Sequence, residues 1–206
     1  MKEKKDFFEK NGYLVIDGLL DPKDFFEIPP KERGEYHYEY KKEPYFFHPI
    51  DSQVPESFSR HRHPKYKYAH SQIRIKLQKI LGENLYNTYY YDRFYFEGQD
   101  LKKHVDREQC EISVSFQISS NSKKDWPISF VDPKGVEHSV IINDGQAILY
   151  KGHEILHWRD PLKSRHSFLR RSINKFFFKK DDTYHHQVFF HYVRENGEFA
   201  HLAYSF

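Results

Sequence analysis

Residues 111–119 read EISVSFQIS, an unbroken alternation of polar and apolar side chains. Ile112, Val114, Phe116 and Ile118 fall on one side of an extended chain. Glu111, Ser113, Ser115 and Gln117 fall on the other, because successive side chains of a strand point to opposite faces. A helix cannot use a period of two, so this stretch specifies a strand. Short runs of similar character surround it: YNTYYYDRFYF (86–96), WPISFVD (126–132), EHSVII (137–142), QAILY (146–150) and QVFFHYV (187–193). The sequences DPKG and NDG separate some of them as turns. Many short strands with glycine turns predict an antiparallel sandwich or barrel. An aromatic share of 18%, with 19 Phe and 16 Tyr, points the same way, because flat rings suit strands. ENGE then predicts a hairpin from the last strand into FAHLAYSF.

The N-terminal part reads differently. KEKKDFFEKNG predicts a short helix ending at Gly12, and YLVIDGLL a strand and turn. Residues 21–70 carry seven prolines and predict an irregular connection. In SQIRIKLQKILG, Ile73, Leu77, Ile80 and Leu81 recur at helical spacing, with Ser71 to cap the start and Gly82 the end. The expected organisation is one domain over 1–206: N-terminal helices and cover over 1–85, then a β core over 86–206. A basic stretch at about 160–186 is inserted between two strands of that core.

Composition excludes several classes. Cys110 is the only cysteine, so neither a disulfide framework nor a cysteine-rich metal site can form within the chain. The charged start and short apolar runs exclude a signal peptide and a membrane span, which gives the expectation of a soluble, cytoplasmic protein with no membrane partner. A net charge of +3 is too mild to mark a nucleic-acid footprint.

HEILH at 153–157 matches the zinc-protease pattern HExxH. That pattern works on a helix, where residues four apart share a face and both imidazoles reach one ion. Gly152 stands just before it and Pro161 just after, and QAILY upstream has strand composition. The extended form of the motif needs Gly at 160 and His at 163, where this chain has Asp160 and Lys163. The protease reading therefore fails, and His153 and Glu154 are left as turn residues with no chemistry.

His104-Val105-Asp106 offers a different grouping. In an extended segment residues two apart point the same way, so both side chains can face one metal. His157, 51 residues after Asp106, supplies the third ligand once the strands carry the chain back. Two histidines and one carboxylate on one face of Fe(II) leave three positions open. Taken alone, His104 and Asp106 read equally as a solvated pair. His61, His63, His185 and His186 stand in polar or proline-rich surroundings and are expected at the surface. His191 alternates within a strand and is either site-facing or buried in the core.

Tyr95 with Gly98-Gln99, the HVD triplet, the turn Asn143-Asp144-Gly145-Gln146-Ala147 and His157-Trp158-Arg159 together resemble the 2-oxoglutarate/Fe(II)-dependent dioxygenases, on the prolyl 4-hydroxylase-like side. The resemblance runs from about residue 7 to 193 and is densest over 93–119 and 143–159. It implies a double-stranded β-helix (a jelly-roll, cupin-like fold, mainly β) with flanking N-terminal helices. It implies Fe(II), 2-oxoglutarate and O2, with ascorbate as an optional reductant. The implied metal ligands are His104, Asp106 and His157, with no separate catalytic residue. Tyr95 is implied to offer a phenol to the cosubstrate's distal carboxylate. The cation for that carboxylate is left open between Arg159 and Arg165, with Arg170 and Arg171 as rivals. An arginine fork suits a carboxylate best.

The implied reaction is hydroxylation of a C–H bond of a peptidyl prolyl residue, an amino acid or a small metabolite, with release of succinate and CO2. Retention of Asp106 fits hydroxylation, since halogenating relatives replace that carboxylate. The expected partner is a small-molecule or peptide substrate. The segments YHYEYKKEPYFFHP and RHRHPKYKYAH could frame a pocket or an anionic substrate, and aromatic–basic interleaving also suits single strands. A nucleic-acid demethylase and a non-catalytic metal-binding β-barrel are therefore the alternatives. The sequence does not specify an oligomeric state.

Overall fold

A computed structural model of the chain describes residues 2–30, 37–39, 46–48, 53–55, 57–167, 172 and 181–204. Helix α1 (Lys2–Asn11) leads into β1 (Tyr13–Asp17). Strands β2 (His37–Glu39), β3 (Phe46–His48) and β4 (Phe58–His61) precede helix α2 (Lys67–Leu81). Then come β5 (Leu85–Phe96), β6 (Leu101–His104), β7 (Ile112–Ser120), β8 (Ile128–Val131) and β9 (Glu137–Val140). The last strands are β10 (Gln146–Tyr150), β11 (His157–Arg159) and β12 (Tyr184–Arg194).

The strands form two sheets, in the orders β1-β10-β7-β12-β5-β4-β2-β3 and β6-β11-β8-β9. Every pairing is antiparallel except β2 with β4. The sheets face one another: Tyr13 of β1 stacks on Phe130 of β8 with ring centroids 5.2 Å apart, and Tyr150 of β10 lies 4.9 Å from His157 of β11. This is the double-stranded β-helix expected from the sequence, flanked by α1 and α2.

The alternation in β7 decides where the core sits. Ile112, Val114, Phe116 and Ile118 join Phe8 of α1 and Ile73, Leu77 and Leu81 of α2 in the main apolar cluster. Burying each such side chain stabilises the fold by about 1.5–3 kcal/mol. Ser113, Ser115, Gln117 and Ser119 are buried too, because their face looks between the sheets. The large sheet thus has an apolar face under the helices, while its other face sets these polar groups beside apolar ones such as Tyr13, Ile148 and Tyr150. Gly82 ends α2 at φ 68, donating its N–H to Gln78 O at 2.8 Å, a left-handed cap that glycine adopts without strain.

Four expectations are corrected. Helix α2 begins at Lys67, not at Ser71, because the short 3-10 turn Pro64–Tyr66 starts it early and Ala69 and His70 are buried in its first turns. Beyond ENGE the described residues make a 3-10 turn at Ala200–Leu202 and no strand. Strand β12 is already paired on both edges, with β5 and β7, so a hairpin partner finds no free edge. Among the described residues, the region 21–70 holds three short strands that extend the large sheet. The segment at about 160–186 ends inside β12, and residues 168–171 and 173–180, with Arg170 and Arg171, lie outside the described residues. No described helix is long and apolar enough to cross a membrane.

Candidate metal centre

Strand β6 pairs antiparallel with β11, which sets His104 opposite His157. The two imidazole centroids are 4.4 Å apart. The strand stops at His104, and Asp106 is fixed instead by its backbone N–H, which donates to Gly152 O at 2.8 Å. Asp106 Oδ1 lies 3.4 Å from His104 Nε2 and 3.6 Å from His157 Nε2. One ligand atom from each of the three residues lies within 4.8 Å of the others, the arrangement one ion needs.

The other ring nitrogens are anchored. His104 Nδ1 lies 2.7 Å from Lys102 O, and His157 Nδ1 lies 3.0 Å from Ile155 O. A carbonyl can only accept, so each Nδ1 carries a proton and each Nε2 is turned toward Asp106; His104 Nε2 also lies 2.9 Å from Gln53 Nε2. Burial pushes the Asp106 carboxyl up, but the hydrogen bonds that His104 and His157 donate when protonated at Nε2 more than reverse this and hold it well below the usual carboxylate range. Deprotonated at Nε2, the two imidazoles join one ionised carboxylate in a set that suits a divalent ion with open positions.

Gly152 is the floor of this site. A Cβ there would sit 2.5 Å from Cys110 O, 2.6 Å from Asp106 Oδ2 and 2.6 Å from Ser113 Oγ, so no side chain fits. Ser113 Oγ lies 3.3 Å from Asp106 Oδ2 and 2.9 Å from His191 Nδ1. His191 is buried and borders the site, so both earlier readings of it hold at once. Residues 151–156 form turns rather than a helix, so His153 and His157 do not share a helix face. The His153 ring packs edge-on against Phe199 at 4.9 Å, outside the triad.

Further inside, between the sheets, Arg159 is 2% exposed. Its Nη1 donates to Trp126 O at 2.5 Å and its guanidinium lies 4.5 Å from the Trp126 ring centroid. Its Nη2 is buried with no partner, and burial lowers its pKa to about 10. Tyr95 packs edge-on against Trp126, with ring centroids 4.9 Å apart, and its hydroxyl accepts from Arg93 Nη1 at 3.1 Å. Ser115 Oγ, Gln117 Oε1, Ser119 Oγ, both ring nitrogens of His185 and both amide atoms of Gln187 are buried without partners as well. Each such group left unsatisfied costs about 1–3 kcal/mol. A polar, anionic ligand would satisfy such groups together with the unpaired guanidinium beside them.

Arg165 is not brought to this chamber. Its guanidinium is bound to Asp182, with Nε 3.1 Å from Oδ1, on the surface. His185 and His186, expected at the surface, are buried on opposite faces of β12. His186 Nε2 donates to Asp92 at 2.8 Å, and Asp92 also accepts from Tyr66 at 3.0 Å and from Arg60. His61 and His63 are half-buried. The sequence reading missed Trp126, His185 and Gln187. The period-two pattern of 185, 187 and 191 in β12 was the signal that could have found the last two.

No protein-family profile and no curated protein sequence matches the chain. Solved structures do, and the fold they share is that of the 2-oxoglutarate/Fe(II) oxygenases. The chain is similar to a prolyl-4-hydroxylase of Pseudomonas putida (12% identity, TM-score 0.57, covering 93% of this chain and 97% of that one). It is similar to an oxidoreductase of the 2OG-Fe(II) oxygenase family from Burkholderia pseudomallei (8% identity, TM-score 0.60, 95% and 92%). It is also similar to HygX of Streptomyces hygroscopicus, solved with nickel, 2-oxoglutarate and hygromycin B (11% identity, TM-score 0.62, 93% and 86%).

Proposed function

We propose that the protein is a 2-oxoglutarate/Fe(II)-dependent oxygenase that hydroxylates a C–H bond of a small molecule. The observation that carries this reading is the pairing of two features in one barrel: the triad His104, Asp106 and His157, and, deeper in, the unpaired guanidinium of Arg159. In this reading His104, Asp106 and His157 hold the iron on one face. When bound, iron and 2-oxoglutarate together supply the oxidising chemistry, with dioxygen as oxidant and succinate and CO2 as coproducts.

The remaining roles belong to the chain's own groups. Arg159 takes the cosubstrate's distal carboxylate through its free Nη2. Tyr95, His185 and Gln187 stand close enough in the barrel register to complete that chamber: His185 is opposite Tyr95, and Gln187 opposite Gln117. Trp126 covers the guanidinium and keeps the carboxylate from water. The Nδ1 anchors fix the two rings so that each Nε2 faces Asp106 and the ion. Arg165 has no role here, because it is neutralised by Asp182.

The test is uncoupled turnover: purified protein with Fe(II), ascorbate, O2 and 2-oxoglutarate forms succinate, and His157→Ala forms none. Absence of succinate from the wild type together with no 2-oxoglutarate binding overturns the reading.

A further inference from the structure

Two cavities lie at opposite ends of the barrel. One, of about 380 Å3, has His104, Asp106 and His191 in its lining and stands over the triad. The other, of about 450 Å3, is lined by residues 122–126 and 141–144 together with Gln117, Ser120 and His185. Strand register sets the two apart. Strand β12 pairs antiparallel with β7, with His191 opposite Ser113 at the triad end and His185 opposite Ser120 at the other. From Ser113 to Ser120 an extended chain runs about 23 Å.

Arg159 is reached from the far cavity through a single ring. The Trp126 indole lies 4.5 Å from the guanidinium and also forms part of that cavity's wall. Trp126 is pinned, because its Nε1 donates to Asp160 O at 2.6 Å. Its neighbour is not. His185 packs edge-on against Trp126, with ring centroids 4.7 Å apart and planes at 79°. It is buried, and neither of its ring nitrogens has a hydrogen-bond partner. Packing alone therefore holds this imidazole, and it can turn without breaking a hydrogen bond. Gln117 Oε1, in the same wall, is unpaired as well, and so are both amide atoms of Gln187, which stands opposite Gln117 in the register. A carboxylate crossing an apolar wall loses its hydrogen bonds to water without replacement. Here polar groups line the way inward from the far cavity.

We infer that the far cavity is the cosubstrate's own entrance. Trp126 is the fixed post and His185 the moving door, and past them 2-oxoglutarate reaches Arg159 and succinate leaves. The cavity over the triad is then kept for the substrate, and the coproduct can depart while that cavity is filled. The inference rests on the oxygenase reading for the identity of the ligand that Arg159 holds. The placing of a second entrance rests on the two cavities and on the rings between one of them and Arg159.

The test puts an obstacle in each mouth. Ile141 is exposed on the rim of the far cavity, and Val105 is exposed in the lining of the cavity over the triad. Cys110, the chain's only cysteine, is buried, so N-phenylmaleimide labels Ile141→Cys or Val105→Cys at the new thiol, and treated wild type is the control. Stopped-flow absorbance of the Fe(II) protein without oxygen follows 2-oxoglutarate binding. The slope and intercept of the observed rate against concentration give the on- and off-rates. An obstacle on a path slows passage in both directions and leaves the end states alone. The label at 141 should therefore lower both rates by about tenfold or more with Kd unchanged, and the label at 105 should leave both rates as they were. His185→Ala, which removes the door, should raise the on-rate.

Rates indifferent to the label at 141, or slowed as much by the label at 105, overturn the inference. So does a label at 141 that raises the off-rate alone, the mark of a distorted chamber rather than a blocked path. Failure of the oxygenase reading looks different: the unlabelled protein then binds no 2-oxoglutarate, and the inference falls with it.

Discussion

Replacing Arg159 by methionine should have two effects of opposite sign. The guanidinium is fully buried, makes one hydrogen bond to Trp126 O and leaves Nη2 unpaired. Burial alone lowers its pKa from the usual guanidinium value to about 10. At 1.36 kcal/mol for each tenfold in proton affinity, keeping it charged at neutral pH costs the fold about 3 kcal/mol. Because the folded value is the lower one, this penalty is fully present at neutral pH and is relieved only as pH rises through about 10. Methionine keeps most of the volume and the packing on Trp126 while removing the charge. Replacing a buried, poorly paired charge by an apolar side chain stabilises by about 1–4 kcal/mol. From this about 1 kcal/mol is subtracted for the lost hydrogen bond to Trp126 O.

Without cosubstrate, then, Arg159→Met should be as stable as the wild type or up to about 3 kcal/mol more stable. With cosubstrate the order reverses. Two charge-assisted hydrogen bonds to a carboxylate contribute about 3–6 kcal/mol, so affinity for 2-oxoglutarate should fall by about 10²–10⁴-fold. The assay is urea denaturation of the Mn(II)-loaded protein with and without 2-oxoglutarate. A ligand at a hundred times its Kd adds about 2.7 kcal/mol, which the wild type should gain and the variant should not. If the variant is destabilised in both conditions and still gains stability from 2-oxoglutarate, Arg159 is a structural prop and the cosubstrate lies elsewhere.

Gly152→Ala should be destabilised and lose metal, because the new methyl would sit 2.5 Å from the Cys110 carbonyl and 2.6 Å from Asp106 Oδ2; urea denaturation and calorimetric titration with Mn(II) check this against the wild type. Asp92→Asn should destabilise by about 3–5 kcal/mol in urea denaturation, since it leaves the buried Arg60 without its main counter-charge. Burial pushes the Asp92 carboxyl up, but hydrogen bonds from His186 and Arg60 overcome this and hold it well below the ordinary range. Its stabilisation is therefore complete above the usual carboxylate pKa of about 4 and is lost progressively as pH falls below it. The drop in stability between pH 6 and pH 3 should accordingly be smaller in Asp92→Asn than in the wild type.

The strands and their turns were legible because their signals are local. The alternation of 112–118 needs no partner to be read, and Gly82 and Gly145 mark chain reversals by their own conformational freedom. The triad was half legible. His104 and Asp106 are close in sequence, but choosing His157 over His153 rested on the turn expected at Gly152 and on the resemblance carried by His157-Trp158-Arg159. The cosubstrate cation was left open between Arg159 and Arg165, because both stand near His157 in sequence. Only the folded chain separates a guanidinium under Trp126 from one bound to Asp182. His185 and His186 were misread for a related reason: their polar flank, DDTYHH, suggests solvent, whereas both faces of β12 are covered. Nothing local announces a polar chamber between two sheets. It arises because Ser113 to Ser119 and His185 to His191 are set side by side by strand register.

The most direct test of the account is the visible absorption of the Fe(II) protein without oxygen, before and after adding 2-oxoglutarate. Chelation of iron by the cosubstrate in the triad should produce a charge-transfer band in the wild type and in His153→Ala, and none in His157→Ala. A wild type without the band, or a band lost with His153 and kept without His157, would contradict the triad of His104, Asp106 and His157.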